Sequence, residues 1–234
     1  TLTTSILSTA SLWAQGFASK SQGGFDARLG NSIRYDSPNI SGFTGSIQAS
    51  TFENNTHGMV YSMGGFYNAG PLQAGVAWEH NQGARAAGLK DDAISVSGGW
   101  NFGIARVAGV YERLDYDVAA GGNLKRDLFG VSGTFNLGPG QLYAAWIHAD
   151  DGKGSAADGS QVAGTVKGND TSSDEYSISY TYPLSKRTAL YAAYSYFSNS
   201  DTSINGSSIA NPGALIGAPG ESNFAIGAGL RHSF

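Results

Sequence analysis

Residues 224–234 read FAIGAGLRHSF, in which the larger apolar side chains recur at every second position. Phe224, Ile226, Ala228, Leu230, His232 and Phe234 share one parity, and Ala225, Gly227, Gly229, Arg231 and Ser233 share the other. A period of two is the signature of a β-strand with two unlike faces. Terminal residues of water-soluble domains tend to fray, so an aromatic held in register at position 234 implies that something outside a soluble core engages it.

The same pattern recurs along the chain in runs of about ten residues. In ARLGNSIRYDS (27–37), Leu29, Ile33 and Tyr35 alternate with Arg28, Ser32, Arg34 and Asp36, and GFTGSIQAST (42–51) sets Phe43, Ile47 and Ala49 against Thr44, Ser46, Gln48 and Ser50. PLQAGVAWEH (71–80) sets Leu72, Ala74, Val76 and Trp78 against Gln73, Gly75 and Glu79, while DAISVSGGWNF (92–102) sets Ile94, Val96 and Trp100 against Ser95, Ser97 and Asn101. LFGVSGTFNL (128–137) and EYSISYTY (175–182) repeat it with Phe129, Val131, Phe135 and Leu137, and with Tyr176, Ile178, Tyr180 and Tyr182. The runs around Tyr143 and Tyr191 are apolar on both parities, so their faces are not assigned by pattern. The chain reads as all-β, with roughly eleven strands.

Two arrangements bury such strands. In a soluble sandwich the apolar parity faces the core and the polar parity faces water. A solvated face normally carries many Lys and Glu, yet here it is mostly Ser, Thr, Gly, Asn and Gln, and only 14% of the chain is charged. The connections also alternate in length: tight turns such as NAG, NFG, LGPG and PLSKR take turns with longer breaks that reach about two dozen residues by the spacing of the runs. A meander places alternate connections at opposite ends of the sheet, so one end is trimmed and the other elaborated. That is the anatomy of a transmembrane antiparallel β-barrel. Tyr67, Trp100, Phe135 and Tyr182 sit beside the short turns, where an interfacial aromatic girdle belongs.

Composition removes other classes. The mean hydropathy is −0.20, and no run approaches the roughly 18 apolar residues of a spanning helix. A net charge of −4 argues against a nucleic-acid partner, which needs a basic face. With no cysteine there is no disulfide framework and no thiolate metal site. TLTTSILSTASLWAQG (1–16) lacks the positive n-region of a secretory signal and reads as neither a targeting segment nor a membrane span.

FAIGAGLRHSF resembles the terminal strand of outer-membrane porins, whose last Phe and alternating apolar positions are read by the barrel-assembly machinery; Phe234, Leu230 and Ile226 carry that signal here. RLGNSIRYDSPNISGFTGSIQAS (28–50) resembles the strand-turn-strand after the constriction loop of trimeric general porins of the beta-proteobacterial kind. YNAGPLQAGVAWEH (67–80) and LSKRTALYAAYSYFSN (184–199) are similar to later strands of that family. The resemblance implies a bacterial outer-membrane location, a homotrimer, contact with outer-membrane lipid and lipopolysaccharide, and sixteen strands, of which about five precede this sequence. Residues 1–25 then correspond to part of the inward-folded constriction loop, and 26–234 to the C-terminal strands and loops of a single barrel domain.

The implied function is passive diffusion of ions and small hydrophilic solutes, with selection by bore and by charges at the narrow point. The resemblance implies a basic cluster on the wall after the loop, opposed by acids. Arg28 and Arg34 share the polar parity there, about 20 Å apart if the strand is regular, and Asp26 is the nearest acid. Arg106 and Arg113 fall on opposite parities, and Arg106 together with Glu112 fits the lumen.

Catalytic and metal chemistry find little support. His57, His80, His148 and His232 lie on separate segments without ligand spacing. No cofactor is expected, although DDGKGSAADG and DYDVAAGG carry acids with glycine, a composition that permits weak Ca²⁺ binding at external loops without following the twelve-residue loop pattern. The rival reading is an outer-membrane barrel enzyme, a phospholipase or protease, for which His148 with Asp150 is the one candidate pair. Deleting Phe234 is expected to reduce membrane assembly severely while leaving the conductance of the molecules that do assemble unchanged. Normal insertion without it would remove the assembly role.

Overall fold

The computed structural model describes residues 25, 30–51, 58–203 and 218–234. Among these residues thirteen strands follow one another: β1 (Ser32–Asp36), β2 (Phe43–Thr51), β3 (Met59–Ala69), β4 (Leu72–Gln82), β5 (Lys90–Asn101), β6 (Ala105–Asp117), β7 (Asn123–Leu137), β8 (Gly140–Ala149), β9 (Gln161–Val162), β10 (Thr165–Val166), β11 (Ser173–Pro183), β12 (Thr188–Asn199) and β13 (Asn223–His232). Eleven of them form one antiparallel sheet in the order β1-β2-β3-β4-β5-β6-β7-β8-β11-β12-β13. This is an uninterrupted meander with β1 and β13 at its edges.

The turns explain why each strand returns beside its predecessor. Residues 70–71 and 138–139 are both Gly-Pro, with φ of 58° at Gly70 and 59° at Gly138, so Gly occupies the left-handed first position of a II′ hairpin that matches the strand twist. The other connections at this end, 37–42, 102–104 and 184–187, are also short. At the other end, residues 150–172 and 200–222 form the long connections, and the first carries β9 and β10 as a small hairpin. Sequence pattern reads 150–172 as a loop. Its hairpin escapes notice because the two-residue turn is Ala163-Gly164, with φ of 46° and 79°, and Ala is a poor substitute for the usual Asn or Asp.

The faces follow from register. Tyr35 lies opposite Ile47 and Ile47 opposite Met63, and across the sheet Val96 faces Tyr111 and Tyr111 faces Phe129. This row of side chains looks outward: Ile226 is 75% exposed and Val131 51%. The hydroxyl-rich parity looks inward, where Ser195 is 0% exposed and Glu175 2%. A sheet with its greasy side bare and its serines covered is the reverse of a soluble sandwich. Nine to fifteen residues per strand from β2 onward in the main sheet suffices to cross hydrocarbon, which takes about 9–11 tilted residues.

The inner face is not polar throughout. Leu128, Ala149 and Phe197 form one buried cluster with Leu114 and Ile147, and Tyr116, Leu124 and Val162 form another with Phe25 and Val118. Tyr143 and Tyr191, unassigned by pattern, both point inward, opposite Ser179 and Gly229 respectively. The Tyr191 ring lies flat over Gly229, where an added Cβ would meet its hydroxyl at 2.5 Å. Near the long-connection end of the sheet Arg126 is buried and donates to the carbonyls of Asp150, at 2.9 Å, and Thr171, at 3.1 Å. It thereby clamps both ends of the 150–172 segment to β7.

One correction concerns β1. A regular strand running through Arg28 to Arg34 is expected from the sequence, but the described strand starts at Ser32 after a bend at Gly30 and Asn31, whose φ is 46°. Arg28 itself lies outside the described residues. In the full-length protein, Val96→Arg on the outward face midway along β5 is expected to cost about 2–4 kcal/mol in denaturant titrations in phospholipid vesicles. Ser97→Arg, facing inward beside it, should cost far less. Equal costs would contradict the assignment of faces.

Candidate functional site

Four adjacent strands bring Arg34, Gln48, Ser62 and Glu79 into one register row on the inner face. With strands about 4.8 Å apart, Arg34 and Glu79 stand about 14 Å from each other across the wall. Ser95 and Glu112 face each other two residues nearer the short turns. These six side chains, with Phe25 and Phe66, line a single cavity of about 310 Å³. Polarity alternates along each strand, so every second residue delivers its hydroxyl, amide or charge to this one surface.

The charges in it are held. Arg34 reaches both oxygens of Asp36, with Nε at 2.9 and 3.0 Å and Nη2 at 2.7 Å. Both partners are more than half exposed, so the pair is hydrated and weakly bound. Ser62 donates to Glu79 at 2.7 Å. Deeper in the wall, Glu175 accepts from Ser177 at 2.8 Å and Ser195 at 3.0 Å.

Of the residues named from sequence, Arg34 and Glu112 are brought into the same cavity. Arg106 shares their face and is bonded to Gln73, but it stands six residues from Glu112, about 20 Å along the strand. Arg113 points outward, bonded to Asp127 at 2.7 Å. Asp26 and Arg28 lie outside the described residues, as do residues 1–24, and Phe25 packs tilted against Tyr116 with ring centroids 5.4 Å apart. Phe224, Ile226 and Leu230 share the outward parity with Phe234. Sequence reasoning passed over Glu79 and Arg126. The parity of each was legible, but nothing local distinguishes a wall residue that meets a cavity from one that meets a loop.

The histidines make local contacts. His80 bonds to Asp92 at 2.9 Å and stacks on Trp78, and His148 bonds to Asp174 at 3.0 Å and lies 3.5 Å from Asp150. Both are on the outward face, and His148 has no serine beside it in hydrogen-bond range among the described residues. Nor does any group of three His, Asp or Glu there suit a metal ion. In the 150–172 connection two acids face lysines, Lys153 on Asp150 and Lys167 on Asp158, each at 2.7 Å. The Lys153 ammonium holds the Asp150 carboxyl below its ordinary range, and is itself raised by it.

Nothing in this arrangement is a nucleophile poised by a base. It is one wall of a transmembrane β-barrel, hydrated inside and apolar outside. Residues 3–202 match the Gram-negative porins, and the chain belongs to that family, whose members reside in the outer membrane. It is 26% identical over 232 residues to outer membrane porin protein 32 of Delftia acidovorans, covering 95% of this chain and 60% of that protein. Its structure is similar to that of an anion-selective porin from Comamonas acidovorans, with a TM-score of 0.76 at 25% identity over 94% of this chain and 65% of the other. OmpT of Vibrio cholerae, at 17% identity and a TM-score of 0.68 over 98% of this chain and 73% of its own, shares the fold. The chain thus spans 60–65% of the length of the first two relatives.

Proposed function

We propose that the full-length protein is a passive channel for ions and small hydrophilic solutes, closed by further strands that pair with β1 and β13. The reading rests on one observation above others: the sheet exposes its apolar face and covers its hydroxyl face. In hydrocarbon each unpaired backbone group costs several kcal/mol, so both sheet edges require partners, and a closed barrel supplies them. Sixteen strands enclose an aqueous lumen too wide for side chains to fill.

The cavity lined by Arg34, Glu79 and Glu112 is the described part of the constriction in this reading, with Asp26 and Arg28 completing it and Arg106 lying further along the same wall. Both signs of charge face a confined aqueous space, where their fields are focused. Anion selectivity, a property of the Comamonas relative, is the expectation to test here. A homotrimer fits the reading, since OmpT of Vibrio cholerae has a trimer form. The long connections are then external, beside lipopolysaccharide, and the C-terminal strand is the segment offered to the assembly machinery. No cofactor, nucleic acid or catalytic step is needed.

In planar bilayers the full-length protein is expected to give conductance steps in threes. Arg34→Ser should move the reversal potential in a salt gradient toward cation preference. Independent single steps would overturn the trimer, an unmoved potential would remove Arg34 from the constriction, and absence of ion conductance would overturn the channel.

A further inference from the structure

Charge is distributed along the strands, not only around them. Asp36 apart, every Asp and Glu side chain among the described residues lies in a long connection or in the half of its strand that leads to one. The short turns at 37–42, 70–71, 102–104, 138–139 and 184–187 contain no acid, while Arg106, Lys186, Arg187 and Arg231 gather at their end of the sheet.

Three of those cations converge. Arg231 stands on the inward parity of β13 opposite Ala189, and Lys186 and Arg187 occupy the turn that joins β11 to β12. With Gln141, Ser185 and Ser233 they line a cavity of about 420 Å³ whose lining includes no carboxylate side chain. The cavity is built, not incidental. The Ser185 hydroxyl oxygen accepts from the backbone N–H of Arg187 at 3.2 Å and of Thr188 at 3.1 Å, and the N–H of Ser233 donates to the Arg187 carbonyl at 2.9 Å. These bonds fix the turn against the end of the last strand.

Six of the nine other lysines and arginines among the described residues are already paired. Arg34, Arg85, Arg113, Lys125, Lys153 and Lys167 each sit on an aspartate. Lys186, Arg187 and Arg231 form no ion pair among the described residues. Like charges held together without a counter-ion repel, and an oxyanion relieves that repulsion while accepting charge-assisted hydrogen bonds from all three.

From this geometry we propose that the short-turn mouth of the barrel contains a binding site for small carboxylate- or phosphate-bearing solutes, formed by Lys186, Arg187 and Arg231. This deepens the channel reading by giving the pore an acidic end and an anion-holding end, so solutes carrying these groups are collected at one mouth. The cavity lies within the size range of small-molecule sites.

The test uses the full-length protein in neutral, lipid-free detergent, titrated with inorganic phosphate against chloride at equal ionic strength and followed by calorimetry. Saturable phosphate binding is expected. It should weaken about tenfold in each of Lys186→Gln, Arg187→Gln and Arg231→Gln, the loss of one charge-assisted bond. Heat-modifiable gel migration confirms that each variant is folded, and the three single variants keep the test open if one of them fails. Phosphate should also reduce bilayer current more when added from the short-turn side. Equal affinity in all folded variants, or binding of phosphatidylglycerol with none of free phosphate, would overturn the site. Because calorimetry needs no ion flow, a failed channel and a failed site give different results.

Discussion

A peptide group in hydrocarbon has no water to bond, so its N–H and C=O must find each other. This requirement shapes everything else in the molecule. Each interior strand of the sheet pairs with a neighbour on both sides, and tight turns such as Gly70-Pro71 and Gly138-Pro139 keep successive strands adjacent. Once the backbone is satisfied in this way, successive side chains of a strand point to opposite faces of the sheet. The outward set can be Ile, Val, Tyr and Phe because lipid receives it. The inward set can be Ser, Gln, Glu and Arg because water or another polar group does.

Much of this was legible from sequence, since alternation is a local property. The outward parity of Leu72 to Trp78, Ile94 to Trp100, Phe129 to Leu137 and Tyr176 to Tyr182 agrees with the register of the sheet. Pattern failed where the inner face is itself apolar. Tyr143 and Ile147 on β8, and Tyr191 and Phe197 on β12, point inward onto buried clusters or fold flat over a glycine, so both parities of those strands look alike. The β9–β10 hairpin was hidden for another reason: it is two residues long on each side, and its turn lacks the usual Asn or Asp. The candidate site was half legible. Parity separates Arg106 from Arg113, but which inward residues share a cavity depends on the stagger of neighbouring strands, which brings Arg34 to Glu112 and leaves Arg106 at the far end.

The two ends of the sheet obey different chemistry. Toward the long connections, acids and bases are interleaved and mostly paired, and Arg126 ties a 23-residue segment down through two carbonyls. Toward the short turns, Asp36 is the one acid among the described residues, and Lys186, Arg187 and Arg231 stand without an acid partner near an aromatic belt of Tyr67, Trp100, Phe135 and Tyr182. In the proposed channel, a wall built this way carries an axial field as well as a transverse one, and a permeating ion would meet the two mouths unequally.

The account stands or falls on which solvent the outward side chains touch. Trp78, Trp100 and Trp146 all lie on that parity, so full-length variants that each retain one of them as the sole tryptophan report on it directly. Reconstituted in vesicles with brominated acyl chains, each should be quenched by the lipid bromine and be indifferent to iodide in the aqueous phase. Quenching by iodide without quenching by bromolipid would show that this face meets water, and the transmembrane reading would be wrong.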